Sequence, residues 1–398
     1  MELLFALVYY LKDIISPNLD LFYFLVVPFL LYDFARDMGK AFRRAFVAWL
    51  PILFYGIYQI AFFSPIDSTR VFVNIAKIFV CIFLMFFVKE NAERFNFNAF
   101  IRSISYLFLL SIPVGLFFRS PPLWRTNDTI NKYVLNRLQL FYIEPSALSF
   151  QVCILLVFIA YFIISKINVR ENVLFFMSLL VIVYLSAGMN GMICLALSGI
   201  AMLLAYYYRR SKTVIISLAG ILLVGGAVLY ILAAADNPIY LRAEAALAGN
   251  DSSALYRLNV GYEVMKNALI NTNGAGVGFG NINTEFFRST YSEYGLVSVV
   301  ANSFMYFIIE GGIFSIIYLL ILLISVFRHS IRDKEALLYK LPLFLFVFIY
   351  QIPGSYFTNP VIWLAYGFIC SNARIEERNT LTSPCHCERN VSGTKQSQ

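Results

Sequence analysis

Four short segments of the 398-residue chain gather the side chains that could do chemistry. The first is Asn136-Arg137-Leu138-Gln139-Leu140-Phe141-Tyr142-Ile143-Glu144-Pro145-Ser146. Pro145 suits the first turn of a helix, which places Glu144 at a helix N-terminus, where the dipole favours an anion. Two readings follow. Glu144 and Ser146 cap that helix while Arg137 pairs with Glu144, or a carboxylate and a guanidinium face a cavity at the outer surface of the membrane. The second segment holds Arg242, Asp251, Arg257, Lys266 and Arg288 around Asn273-Gly274-Ala275-Gly276-Val277-Gly278-Phe279-Gly280-Asn281. Glycines let backbone N–H groups approach a phosphate or sugar, and guanidinium groups grip phosphate bidentately. A plain flexible loop has the same composition.

The third segment runs from Asn302 to Glu310-Gly311-Gly312. Glu310 is an acidic residue well inside an apolar run. A charge at the bilayer centre costs about 2.5–3.5 kcal/mol on insertion scales, so such a residue faces a cavity or a partner. The fourth, Ser186-Ala187-Gly188-Met189-Asn190-Gly191, reads first as a tight turn of small residues between two apolar runs. The chain contains no Asp-x-Asp pair, no phosphate loop and no Gly-x-Ser-x-Gly elbow. Its two histidines, His329 and His386, fall on the side assigned below to the cytoplasm. The expected chemistry is therefore on the outer face, with no histidine, no metal and no cofactor.

The elements that must position these residues are membrane helices. Apolar residues make up 60% of the chain and charged residues 14%, against roughly a quarter charged in soluble domains. That excludes a soluble enzyme, a secreted disulfide scaffold and a disordered chain. The apolar runs are continuous rather than alternating, which argues against a porin-type barrel. They fall at 17–34, 45–63, 71–88, 100–118, 145–165, 172–187, 191–208, 213–235, 312–327, 341–353 and 360–371. Residues 1–11 form a further apolar run, either a short first span or an interfacial segment. The expected fold is all-α: a polytopic integral membrane protein with about 11–12 transmembrane helices and one large, partly helical outer loop.

Basic residues mark the sides. Arg36, Lys40, Arg43 and Arg44 follow the first run. Lys89 and Arg94, then Lys166 and Arg170, then Arg209, Arg210 and Lys212, then Arg328, Arg332, Lys334 and Lys340 occupy every second connection. These connections face the cytoplasm. Segment 236–311 is then the large outer loop of a single membrane domain, 1–371, and 372–398 is a polar cytoplasmic tail carrying Cys385-His386-Cys387. The outer connection 119–142 breaks the trend with Arg119, Arg125, Lys132 and Arg137, and anion binding would explain the exception. The net charge of +8 thus reads as topology, and no basic cluster on a soluble module points to nucleic acid.

In this order and membrane context the four segments resemble the O-antigen polymerase and ligase superfamily (Wzy-like and WaaL-like). Arg137 with Glu144-Pro145-Ser146 resembles the polymerase-type segment before a central span. Ser186–Gly191 resembles the family's small-residue turn, with Asn190 where an arginine is common. Gly276-Val277-Gly278-Phe279-Gly280-Asn281 resembles its Gly-x-Gly-x-Gly-Asn loop, and Asn302 through Glu310-Gly311-Gly312 its Asn and Glu-x-Gly start of the next span. The resemblance covers under half of the chain. Ligases of the superfamily typically carry a histidine in the large loop, often just before that asparagine. Here the position is Ala301, which favours the polymerase.

The resemblance implies a GT-C-like glycosyltransferase of the bacterial inner membrane, with its active site facing the periplasm. The implied donor is a glycan on undecaprenyl diphosphate and the acceptor a lipid-linked oligosaccharide repeat unit. Membrane lipid, a chain-length regulator and a flippase are the implied partners. In that reaction Arg137 and Arg257, with Arg242, stabilise the leaving diphosphate. Glu144 takes the acceptor proton. Gly276, Gly278, Gly280, Asn281, Asn302 and Glu310 bind substrate, and Tyr142 and Tyr256 (with Tyr262) offer rings for sugar stacking. The alternatives are a ligase moving glycan to lipid A core and a transporter or lipid flippase. Paired repeats and several intramembrane charges would mark the latter.

Overall fold

The computed structural model describes residues 2–14, 20–63, 66–130, 133–207, 244, 248, 259–294, 302–354, 357–372 and 375. The apolar runs form helices α1 (Glu2–Tyr10), α2 (Phe22–Asp37), α3 (Lys40–Phe62), α4 (Ser68–Asn91), α5 (Phe97–Phe117), α6 (Pro145–Ile164), α7 (Val169–Ser186) and α8 (Met189–Tyr207). Further along the chain lie α9 (Gly261–Asn271) and α10 (Glu285–Thr290), then α11 (Ser303–Arg332), α12 (Leu337–Tyr350) and α13 (Pro360–Cys370). Among the described residues, seven helices are long and apolar enough to cross a membrane: α3 to α8 and α11. The chain is a mostly helical, multi-pass membrane protein. The run at 213–235 lies outside the described residues.

Local sequence sets several helix starts. Asp67 accepts from the amides of Thr69 and Arg70, Asn96 from Ala99, Asn302 from Phe304 and Met305, and Asn359 from Val361. Each satisfies amides that the first helical turn leaves without a partner. Helix α6 is apolar on every side, and 78% of its apolar stretch is buried, as expected for a helix with no solvent or lipid face. It packs against α7, α8 and α12, while α4 packs against α3 and α13. The outermost of these helices is α3, only 22% buried in the same sense.

Two expectations change. The all-α reading is corrected by an antiparallel hairpin, β1 (Trp124–Ile130) and β2 (Tyr133–Leu138), in the basic connection between α5 and α6. Its register pairs Trp124 with Leu138 and Arg125 with Arg137. Next, α12 and α13 have only 14 and 11 residues, below the ~20 that cross a bilayer. The turn joining them is drawn into the protein: Gln351 and Phe357 are buried, and Phe357 stacks on Phe307 with ring centroids 3.9 Å apart. Beyond these corrections, α11 starts at Ser303 and bends at Gly312, so 303–311 is the first arm of a bent helix. Helix α1 has 9 residues and lies along α5, with Glu2 accepting from the Asn96 amide and Tyr10 bonded to Ser111.

Candidate functional site

The bend in α11 and the glycine loop are one structure. Gly312 has φ 59° and ψ −143°, a conformation that opens the helix and frees carbonyls which lipid cannot satisfy. The glycine loop satisfies them. Val277 N–H donates to the Ile309 carbonyl at 2.9 Å, Gly278 N–H to the Glu310 carbonyl at 3.0 Å, and Ile313 N–H to the Gly274 carbonyl at 2.8 Å. Gly312 must lack a side chain, because a Cβ there would lie 2.0 Å from the Gly274 oxygen. Helix α9 leads into this loop and packs on the first arm of α11 through Val264, Ala268, Ile282, Phe287, Tyr291 and Ile309.

Two polar residues from the membrane helices lock the assembly. Gln59 of α3 is fully buried. Its Nε2 donates to the carbonyls of Ala275 and Glu310, both at 2.9 Å, and its Oε1 accepts from Phe279 N–H at 3.4 Å. Asn74 of α4 donates to Glu310 Oε2 at 2.8 Å. Glu310 is 1% exposed. The amides of Gly280 and Ile282 and the Tyr306 hydroxyl face its carboxyl group, and its Oε1 makes no hydrogen bond among the described residues. Asn281 Oδ1 accepts from Asp67 N–H at 2.8 Å, tying the loop to the start of α4.

These contacts correct the phosphate reading of the loop. Every amide from Asn273 to Gly278 donates within the protein, as do those of Phe279 and Asn281, and Gly280 N–H faces Glu310. Eight of the nine N–H groups from Asn273 to Asn281 are thus bonded within the protein. Gly276, Gly278, Gly280, Asn281 and Glu310 therefore serve here as packing and latch residues. Asn302, also assigned to substrate, is 3% exposed and is the N-cap of α11.

The first and fourth segments meet at a second cluster. Arg137, on β2, is buried, and its Nε donates to the Ser186 carbonyl at 2.9 Å. Nη2 lies 3.5 Å from the Ala187 carbonyl. The guanidinium thus sits on the carbonyls that end α7. Ser149 of α6 donates to the Gly188 carbonyl at 3.2 Å. A Cβ on Gly188 would lie 2.3 Å from Ser149 Cβ, which explains the small residue there. Glu144 is exposed at the N-terminus of α6, and its Oε2 accepts from Ser146 Oγ at 2.9 Å. Tyr350 at the end of α12 donates to the Ser146 carbonyl at 3.1 Å, and a Cβ added to Gly354 in the next turn would lie 4.0 Å from Asn190 Nδ2.

Gln351 joins the two clusters. Its carbonyl accepts from Ser303 N–H at 3.0 Å, and its side chain contacts Ser303 Oγ and the Tyr366 hydroxyl. Tyr142 is corrected as a stacking platform. It is 3% exposed, lies against Phe108, and donates its hydroxyl to the Tyr9 carbonyl at 3.0 Å. Tyr262, Lys266 and Arg288 are exposed on α9 and α10. Arg242, Arg257 and Tyr256 lie outside the described residues. Close to Tyr142, Lys12 bonds Asp13 at 3.0 Å and Asp20 at 3.2 Å, largely buried. Burial opposes the Lys12 charge, but the Asp20 and Asp13 carboxylates outweigh it and hold its pKa above the ordinary value.

No protein-family model matches the chain, and no curated protein matches it. The geometry of its own residues therefore carries the functional reading. That geometry includes residues the motifs did not mark: Gln59, Asn74, Ser149 and Gln351. Their signal was present in the sequence as single amide or hydroxyl side chains inside apolar runs. A polar group in a span is expensive unless it has a partner, and acidic residues are not the only ones to which this applies.

Proposed function

We propose that the chain is a membrane glycosyltransferase that polymerises lipid-diphosphate-linked oligosaccharide repeat units on the outer face of the inner membrane. The observation that carries this reading is the convergence of segments 137–146, 186–191 and 350–354 around Arg137. A buried guanidinium, the N-terminus of α6 and an exposed carboxylate share one end of the bundle. A guanidinium and a helix N-terminus both stabilise developing negative charge.

The reaction needs little else. The donor is activated by its own diphosphate. The acceptor hydroxyl loses its proton to Glu144 as its oxygen bonds to the anomeric carbon of the donor. The bond from that carbon to the phosphate oxygen breaks, and the lipid diphosphate leaves with the electron pair. Arg137 faces the charge that appears on it, and Glu144, being exposed, can exchange its proton with water. The test is chain extension by purified protein in proteoliposomes given only lipid-linked repeat units. A ladder of products is expected. A protein that moves the lipid-linked unit across the bilayer without lengthening it would be a flippase instead. In a strain lacking the gene, lipopolysaccharide carrying core plus one repeat unit fits the polymerase. Core alone points to ligase or flippase.

A further inference from the structure

Away from this site, at the end of the bundle where α3 begins, α3 and α4 border an open groove of about 540 Å³ lined by Lys40, Arg43, Arg44, Val47, Ala48 and Phe86, with Val47 67% exposed. Its cations lie on the first turn of α3, on the side that the basic connections assign to the cytoplasm. Glu90, near the end of α4, pairs with Lys40 at 2.6 Å and with Arg44. Three lining cations against this one carboxylate leave +2 (3 − 1) on the lining; Lys89 on the rim adds a fourth cation, and Asp37, paired with Arg94, adds an anion near Lys40. Asp33 is turned away, capping the amides of Ala41 and Phe42. Lys89 stands on the rim, 5.8 Å over the Phe86 ring. At a rise of about 1.5 Å per residue, Val47 lies about 10 Å deeper than Lys40. The groove is therefore cationic at the headgroup level and apolar just below it.

We propose that this groove holds one anionic phospholipid of the cytoplasmic leaflet. Its phosphate lies among Lys40, Arg43 and Arg44, and an acyl chain runs along Val47 and Phe86. Guanidinium matches phosphate geometry, and anionic lipid is drawn to basic membrane-proximal residues by about 1 kcal/mol per charge. The apolar floor selects a lipid over a soluble phosphate, which would leave Val47 and Phe86 uncovered.

The experiment measures retention of phosphatidylglycerol against phosphatidylcholine by native mass spectrometry of the full-length protein, with melting temperature as a second readout. Wild type should retain phosphatidylglycerol preferentially and melt higher with it. Arg43→Gln leaves the Glu90 pairs in place and should weaken retention roughly fivefold, the ratio for one charge. Lys40→Gln, Arg43→Gln, Arg44→Gln and Glu90→Gln together should abolish the preference without stranding a carboxylate. Lys166→Gln with Arg170→Gln, at the turn between α6 and α7, should keep it. The proposal fails if the fourfold variant retains phosphatidylglycerol like wild type. It fails if the Lys166 and Arg170 variant loses the lipid equally, since the effect is then diffuse charge. It also fails if inorganic phosphate or glycerol phosphate raises the melting temperature as much as the lipid, which would make this a phosphate site.

Discussion

Gln59 bonds three backbone groups from the last turn of a membrane helix, so its amide must present donor and acceptor in a fixed orientation. Gln59→Leu leaves the Phe279 amide without its partner, which costs about 1–3 kcal/mol. Gln59→Glu should cost more, because a carboxylate would face the oxygens of Ala275 and Glu310. Melting curves in detergent should rank wild type above Leu and Leu above Glu; an unchanged melting point for Glu would mean that the clamp does not hold the loop. Arg137 is the other residue whose chemistry depends on shape. Arg137→Ala should stop chain extension, and Arg137→Lys should restore only a small fraction of it, because an ammonium cannot span two carbonyls and still present a fork. The check is ladder synthesis at matched protein level. Full ladders from the alanine variant would remove Arg137 from the site.

At the scale of elements, the bent helix and the glycine loop stand or fall together. Gly276 has φ 79°, and a Cβ there would lie 2.5 Å from both the Glu310 oxygen and the Gly312 nitrogen. An L-residue in the left-handed region costs roughly 1–2 kcal/mol before any clash with that backbone. Gly276→Ala should therefore sharply reduce accumulation of folded protein. Gly199, in the interior of α8, meets nothing within 4 Å. Gly199→Ala should be neutral or gain about 0.5–1 kcal/mol. Fluorescence-detected size exclusion after heating reads both variants; equal behaviour would mean that the loop moves aside easily. The hairpin positions Arg137 in a comparable way, since its register fixes which strand face turns toward Ser186.

For the whole molecule, orientation is the decisive question. Ser289 is exposed on α10, and the cysteines Cys81, Cys153, Cys194 and Cys370 are buried. With Cys385 and Cys387 replaced by serine, Ser289→Cys should react with an impermeant maleimide in intact spheroplasts. Lys166→Cys, at the turn between α6 and α7, should react only after lysis. The reverse pattern would invert the topology and move the candidate site to the cytoplasm.

Membrane residence and the helical runs followed from composition alone, because a bilayer demands long apolar segments whose backbone bonds are internal. The caps at Asp67, Asn96, Asn302 and Asn359 are local in cause, since a cap acts within one turn, though only Asn302 stood out in the sequence. Proximity was not local. Nothing in the order of residues brings Gln59 and Asn74 to Glu310, more than 200 positions away along the chain, or seats Arg137 on the end of α7. The glycine loop, open on paper to a phosphate, has its amides occupied because the break at Gly312 exposes carbonyls that must be bonded. Tyr142 was expected to offer its ring to a sugar, yet it lies against Tyr9 of α1 and Phe108 of α5 and is buried there. Which polar groups meet is decided by how the helices pack, and in a medium without water each of them must find its partner in the fold.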